Sequence, residues 1–188
     1  MISLLTSMNS SYMLADGSLL HLYRNCSAGL SDVDFAIDLS WWRNNSHLME
    51  RQLRERGFRM EKRFGDLKEE FGYAEAWKKG GLKVDLYSNI FEGKFSVVGL
   101  WVGADIYPCY MRVGRIVLYQ WLEGVVVRGP YPIEEALTSA YGNNFLHPID
   151  KWVWDRDAYV TGYCRYQKRE GKRKTKNGKH KNKKKKQL

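Results

Sequence analysis

Cysteine is scarce in this chain, and its few positions already argue against some kinds of site. The three cysteines, Cys26, Cys109 and Cys164, form no C-x-x-C pair. Structural zinc sites usually draw thiolates from closely spaced pairs, so this spacing argues against one. Three cysteines are also too few for a disulfide framework, and they leave the redox compartment of the protein open.

Long hydrophobic runs are missing as well. The longest weakly polar segment, residues 95–106, is too short to cross a bilayer. Residues 1–14 lack the charged start and the uninterrupted apolar stretch of a signal peptide. The sequence therefore predicts a soluble chain with no transmembrane segment.

Excess positive charge is nearly absent from the first 167 residues, although the whole chain carries a net charge of +10. Residues 168–188 contain 12 of the 31 Lys and Arg residues and one of the 21 acidic residues, which gives this segment +11. The other 19 basic and 20 acidic residues leave residues 1–167 at −1. Like charges at this density repel, so we expect one globular domain at 1–167 and a disordered Lys-rich tail at 168–188 that can contact polyanions.

Helical and strand patterns are mixed along the chain, which predicts an α+β (α/β mixed) fold class. In the helix at 46–57 we expect a Ser46 cap, a stop at Gly57, and Leu48, Met49 and Leu53 facing inward. Residues 95–102 and 115–122 are interpreted as further strands or as loops over the sheet. The other predicted helices are 17–25 and 131–142, and the predicted strands are 11–16, 33–37, 58–64, 71–79 and 82–90.

One short strand carries an unusual density of charge. In the segment LSDVDFAIDLS, Asp32 and Asp34 alternate with apolar residues, which places them on one face about 7 Å apart. A half-exposed strand with a polar outer face explains such a pattern when it stands alone. Gly17 and Ser18 at a predicted helix start lie upstream, and backbone N–H groups there can hold phosphate oxygens while the two carboxylates hold Mg²⁺. Asp38 is expected to cap or end the strand.

A third carboxylate is available on another predicted strand. Asp85 stands between Val84 and Leu86 in LKVDLYSN, and Lys83 falls on the same face, where it can meet a phosphate. Together with the Gly-Ser turn, these residues predict a metal-nucleotide site.

The ordered series of these motifs resembles the nucleotidyltransferase superfamily and, within it, the LicD and fukutin group. The resemblance covers roughly residues 12–155 and is closest to fukutin-type proteins. It runs through MLADGSLLHLYRNC, DVDFAI, GFRMEKRFG, LKVDLYS, the YPC of residues 107–109, and PIEEALTSAYGNNFLHPIDKWVWD with its Trp152 and Trp154.

The resemblance implies a polymerase-β-like nucleotidyltransferase fold, a mixed sheet flanked by helices, and a transfer reaction. Proteins of this group move ribitol 5-phosphate or phosphocholine from a CDP-linked donor to a hydroxyl group of a glycan or glycoprotein acceptor. Their location in the Golgi or the ER lumen is an expectation from the resemblance alone.

The family roles can be carried over to matching positions. Gly17 and Ser18 would bind donor phosphates, and Arg24 would face the nucleotide or support the turn. One carboxylate, Asp85, would accept the proton of the attacking hydroxyl. The expected ligands of Mg²⁺, or of Mn²⁺ in its place, are Asp32, Asp34 and Asp85.

Two departures from the family pattern keep a second hypothesis open. His21 stands where the family segment has its second glycine, and the loop from Arg24 to Asp32 is shorter than usual and lacks the family's proline. The alternative is a nucleic-acid-associated protein or a catalytically decayed member of the fold, in which the basic tail binds polyanions. Such binding would weaken steeply with salt.

Overall fold

The computed structural model of this chain describes residues 1–24, 31–69, 72–102, 105–121, 124–147 and Cys164. The predictions for the loop at 25–30, for Trp152 and Trp154, and for the tail at 168–188 lie outside the described residues. The described helices are α1 (Ile2–Ser7), α2 (Asp16–Tyr23), α3 (Leu39–Glu55) and α4 (Ile133–Tyr141), and the strands are β1 (Tyr12–Leu14), β2 (Asp32–Asp38), β3 (Arg59–Phe64), β4 (Ala74–Lys79), β5 (Leu82–Glu92), β6 (Phe95–Val102), β7 (Asp105–Arg112), β8 (Arg115–Trp121) and β9 (Val125–Tyr131).

Seven of these strands form one mixed sheet, which confirms the α+β class. Its central order is β1-β2-β5-β4-β3, and β6 pairs with both β5 and β7. Strands β2 and β5 are parallel, while the other pairs are antiparallel. A parallel pair needs a long crossover, and the chain between β2 and β5 includes α3, β3 and β4. Strands β8 and β9 form a separate two-stranded sheet.

The two faces of the central sheet differ because side chains alternate along each strand. One face packs against α3 and is apolar. Its sheet residues include Phe35, Trp77 and Leu86, all fully buried, and α3 covers them with Met49 and Leu53. The opposite face of β2 and β5 carries the acidic residues, so the hydrophobic packing under it fixes where they lie.

The start of α3 corrects the prediction for this helix. The helix begins at Leu39, seven residues before the predicted Ser46 cap, because the Asp38 side chain accepts a hydrogen bond of 2.8 Å from the Trp41 backbone N–H. Asp38 therefore ends β2, as expected, and it also caps α3, which was not predicted. Leu48 is not inward but 40% exposed, since it falls off the buried face that Met49 and Leu53 occupy.

The remaining elements match the predictions unevenly. Residues 95–102 and 115–121, which the sequence left as strands or loops, are strands β6 and β8, and the tight turn between β4 and β5 is made by Gly80, with a φ of +59°, and Gly81. The sequence did not indicate α1, β7 or β9. No helix in the described ranges is long and apolar enough to span a bilayer.

Two of the cysteines are joined in a way that the sequence did not predict. Cys109, on β7, forms a disulfide with Cys164, 55 residues later in the chain. Both are buried, and the same residues form an isolated antiparallel bridge. The disulfide therefore ties a distant part of the chain to the large sheet.

Candidate active site

The three predicted carboxylates gather at one place on the polar face of the central sheet. Asp34 of β2 lies directly opposite Asp85 of the parallel strand β5, and Asp32 lies opposite Lys83. One carboxylate oxygen from each of Asp32, Asp34 and Asp85 lies within 4.8 Å of the others. The parallel register, rather than closeness in sequence, brings Asp85 to the Asp-x-Asp pair.

The start of α2 is fastened to Asp34 by short hydrogen bonds. The Asp34 backbone N–H donates to the hydroxyl oxygen of the buried Ser18 at 2.7 Å, and Ala15 N–H donates to the Asp34 carbonyl at 3.1 Å. The Ser18 hydroxyl also lies 3.4 Å from the Asp34 carboxylate. A Cβ on Gly17 would lie 3.4 Å from an oxygen of that same carboxylate, at the near end of ordinary van der Waals contact, so the helix start lies directly against Asp34.

Asp16 and Tyr87 also belong to this site, and the sequence analysis missed both. Asp16 opens α2 with a φ of 44°, a left-handed conformation that residues other than glycine seldom adopt and that is common at functional sites. The Tyr87 hydroxyl donates to the Asp85 carboxylate at 3.4 Å. The signals were present, since Asp16 directly precedes the Gly-Ser pair and Tyr87 follows Asp85 by two residues on the same face.

Lys83 lies on the face of Asp85, as predicted, but its partners in the structure are carboxylates. Its ammonium group donates to Asp85 at 2.5 Å and to Asp32 at 3.2 Å. Burial alone would lower the pKa of Lys83, but the hydrogen bonds and charges of Asp85 and Asp32 raise it overall. Lys83 therefore remains charged and neutralises one of the three negative charges.

The negative charge that Lys83 does not neutralise acts most strongly on Asp34. Burial raises the pKa of Asp34 well above its usual value, and the negative charges of Asp16, Asp32 and Asp85 raise it further. Burial also raises the pKa of Asp85, an effect that the bond from Lys83 opposes. The protein alone compensates the negative charge of these carboxylates poorly, so a bound cation would relieve the repulsion between them.

The donor set fits a hard divalent cation. Carboxylate oxygens are the ligands that Mg²⁺ and Mn²⁺ take in proteins, and each of the three acids offers one such oxygen within 4.8 Å of the others. The second oxygen of Asp85, Oδ1, is buried and has no hydrogen-bond partner among the described residues. Asp32, Asp34 and Asp85 can therefore bind a metal ion together.

The Arg24 side chain contacts the segment that follows α4. Its guanidinium donates a hydrogen bond to the backbone carbonyl of Phe145, and the Phe145 ring packs edge-on against Tyr23. This contact fixes the C-terminal end of α2. Both roles expected of Arg24, facing the nucleotide and supporting the Gly-Ser turn at the other end of the helix, stay predictions.

Comparison with known proteins adds little to this geometry. No family model matches the chain, and no curated protein matches it. Among solved structures, it is similar to the antibiotic-resistance factor ANT(2'')-Ia, whose solution structure shares 12% identity with it over 85% of this chain and 76% of that chain, at a TM-score of 0.41. A likeness at this TM-score assigns neither a fold family nor an activity to this chain.

Proposed function

We propose that this protein is a metal-dependent transferase of the LicD and fukutin type, with a nucleotidyltransferase fold. In this proposal it moves a phospho-alcohol group, such as ribitol phosphate or phosphocholine, from a CDP-linked donor to a hydroxyl group of a glycan. The observation that carries the proposal is the convergence of three carboxylates from two parallel strands beside a Gly-Ser helix start. That combination supplies ligands for a divalent cation and for phosphate at one place.

Each residue then has a defined task. A bound Mg²⁺ would supply positive charge that stabilises the CMP leaving group, and Asp32, Asp34 and Asp85 would hold it. The backbone N–H groups at Gly17 and Ser18 would donate hydrogen bonds to the donor phosphates. Asp85, the carboxylate that β5 contributes, would accept the proton of the acceptor hydroxyl.

Donor binding tests the proposal directly. Isothermal titration with CDP-ribitol, CDP-choline and CDP-glycerol, each with Mg²⁺ and with EDTA, should show metal-dependent binding of one donor, and the heat should vanish in Asp34→Asn. Asp66→Asn is the matched control, because Asp66 is an exposed acid in a turn of the described chain, outside the carboxylate group. If the folded wild-type protein bound no donor in Mg²⁺, the catalytically decayed alternative would replace the proposal.

A further inference from the structure

A cleft of about 340 Å³ opens beside the carboxylates, and the site described so far does not use it. Its floor is formed by Ala74 and Ala76 of β4, and we call it the alanine cleft. Asp85 and Tyr87 of β5 border it on one side, and Lys62 and Phe64 of β3 on the other. The volume lies at the small end of the range for small-molecule sites.

Strand register explains the shape of the cleft. Ala76 pairs with Asp85 on one side and with Lys62 on the other, and Ala74 pairs in the same way with Tyr87 and Phe64. Paired residues share a face, so the small alanine side chains lie between two rows of large ones. The two walls are two strand spacings apart, roughly 10 Å.

A β-bulge decides which β3 side chains face the cleft. The register shifts between Met60 and Lys62, so Glu61 is the extra residue of the bulge. Without the shift, Arg63 would face the cleft and Phe64 would face α3. With it, Arg63 reaches Glu75 and Glu50 on the α3 side.

The same bulge leaves the Phe64 ring 40% exposed at the cleft wall instead of in the core. An exposed aromatic ring beside charged groups and an apolar floor can bind a sugar ring. A sugar in the cleft would stack its C–H face on Phe64, and Lys62 and Glu61, which also line the cleft, would hydrogen-bond its hydroxyls.

The row of residues across the sheet gives this cleft a place in the reaction. From the helix start at Ser18 the row runs through Asp34, Asp85 and Ala76 to Lys62. A phosphate held at Ser18 therefore lies on one side of Asp85, and the cleft lies on the other. In a phosphoryl transfer the attacking and leaving oxygens lie roughly in line on opposite sides of the phosphorus.

We infer that the alanine cleft binds the sugar acceptor, with Phe64 stacked on the sugar ring and Asp85 next to the attacking hydroxyl. This inference rests on the proposed function for the chemistry of the step. The sugar oxygen forms a new bond to the phosphorus that bears the alcohol, and the bond from that phosphorus to CMP breaks. CMP leaves with the bonding electron pair, and the hydroxyl proton passes to Asp85.

Two-dimensional NMR of the ¹⁵N-labelled protein tests the cleft without needing any donor or metal. Methyl β-galactoside and methyl N-acetyl-β-galactosaminide, chosen as simple sugar probes, should shift the amide signals of Phe64, Ala74 and Ala76. Phe64→Ala should weaken that binding about tenfold, which is the size expected for one lost stacking contact. Phe91→Ala is the matched control, because Phe91 is 41% exposed but lies outside the cleft, and it should bind as the wild type does.

A second pair of measurements separates this inference from the proposed function. Ala76→Met fills the floor and should abolish the sugar-induced shifts, while CMP with Mg²⁺ should still shift Gly17 and Ser18. If CMP with Mg²⁺ shifted the cleft residues instead, or if neither sugar shifted them at its solubility limit, the cleft assignment would be wrong. Failure of CMP to shift Gly17 and Ser18, with sugar binding intact, would count against the proposed function only.

Discussion

Removing the central carboxylate should stabilise the metal-free protein, although it destroys the proposed site. Asp34 is buried beside Asp32 and Asp85 and feels the charge of Asp16, and Lys83 offsets only part of that repulsion. Asp34→Asn removes the charge, keeps the size of the side chain, and retains an oxygen that can accept the 3.4 Å bond from Ser18.

The size of the effect has an upper bound. A buried aspartate can always escape the repulsion by taking up a proton on folding. At pH 7 this protonation costs about 1.4 kcal/mol for each of the roughly three pH units above its usual pKa of about 3.9, or about 4 kcal/mol in all. Because Lys83 compensates part of the charge, we expect Asp34→Asn to raise the free energy of unfolding by about 1 to 3 kcal/mol in EDTA at pH 7.

The sign of the pH dependence is opposite to that of a salt-bridged aspartate. A raised pKa in the folded state means that the folded protein holds its proton more tightly than the unfolded chain does. The wild type should therefore lose stability relative to the variant as pH rises above about 4, and the difference should disappear again below that pH.

Urea unfolding followed by tryptophan fluorescence can measure this, since Trp42 and Trp77 are fully buried. Mg²⁺ at a hundred times its Kd should stabilise the wild type by about 2.7 kcal/mol and leave Asp34→Asn unchanged. The stability advantage that the variant has in EDTA should therefore shrink or reverse in Mg²⁺. Asp66→Asn should follow the wild type throughout. A variant less stable than the wild type in EDTA at pH 7, or a difference that did not change with pH, would refute this account of the site's electrostatics.

Four further outcomes are expected. Ser18→Ala should lower the free energy of unfolding by about 1 to 2 kcal/mol, because the Asp34 N–H loses its buried acceptor. Ser7→Ala, at an exposed position of α1, is the control and should leave the stability unchanged. Equal effects of the two substitutions in urea unfolding would contradict the role of Ser18. Lys83→Gln should lower stability in EDTA and strengthen Mg²⁺ binding, as measured by calorimetry, and weaker Mg²⁺ binding would show that Lys83 helps to hold the ion. Reduction of the Cys109–Cys164 disulfide, which closes a loop of 55 residues, should lower the free energy of unfolding in urea by about 4 kcal/mol. The same reductant should not change the stability of the Cys109→Ser variant, and equal stability of the oxidised and reduced wild type would contradict this. If the alternative hypothesis holds, the protein binds RNA with an affinity that falls steeply with salt, and deletion of residues 168–188 should abolish that binding; an unchanged affinity would contradict the role of the tail.

The sequence predicted the polar strand faces better than it predicted the contacts between them. The period-two pattern placed Asp32, Asp34 and Asp85 on polar strand faces, and the structure brings them together. Alternation alone reveals a face but not a neighbour, so the direct pairing of Asp34 with Asp85 across 51 residues was not predicted. The ion pair of Lys83 with Asp32 depends on the same pairing of β2 with β5.

Other features left no readable signal. Asp38 was expected to cap or end its strand but not to cap a helix, so the start of α3 at Leu39 was missed and the helix was predicted seven residues too short at that end. A bulge depends on the register of two strands, so the exposure of Phe64 could not be predicted from alternation. The pairing of Cys109 with Cys164 depends on how β7 meets a distant segment, which spacing in the sequence does not encode.

The parallel pairing of β2 with β5 also bears on how the protein folds. Strands β3 and β4 lie between β2 and β5 in sequence, and β4 can pair with β3 or β5 through shorter loops. Pairings that close short loops cost less entropy than the β2–β5 pairing, so the carboxylates should meet only after the hairpins have formed. Metal binding should therefore appear late in refolding, and a fragment that ends before β5 would lack the third ligand altogether.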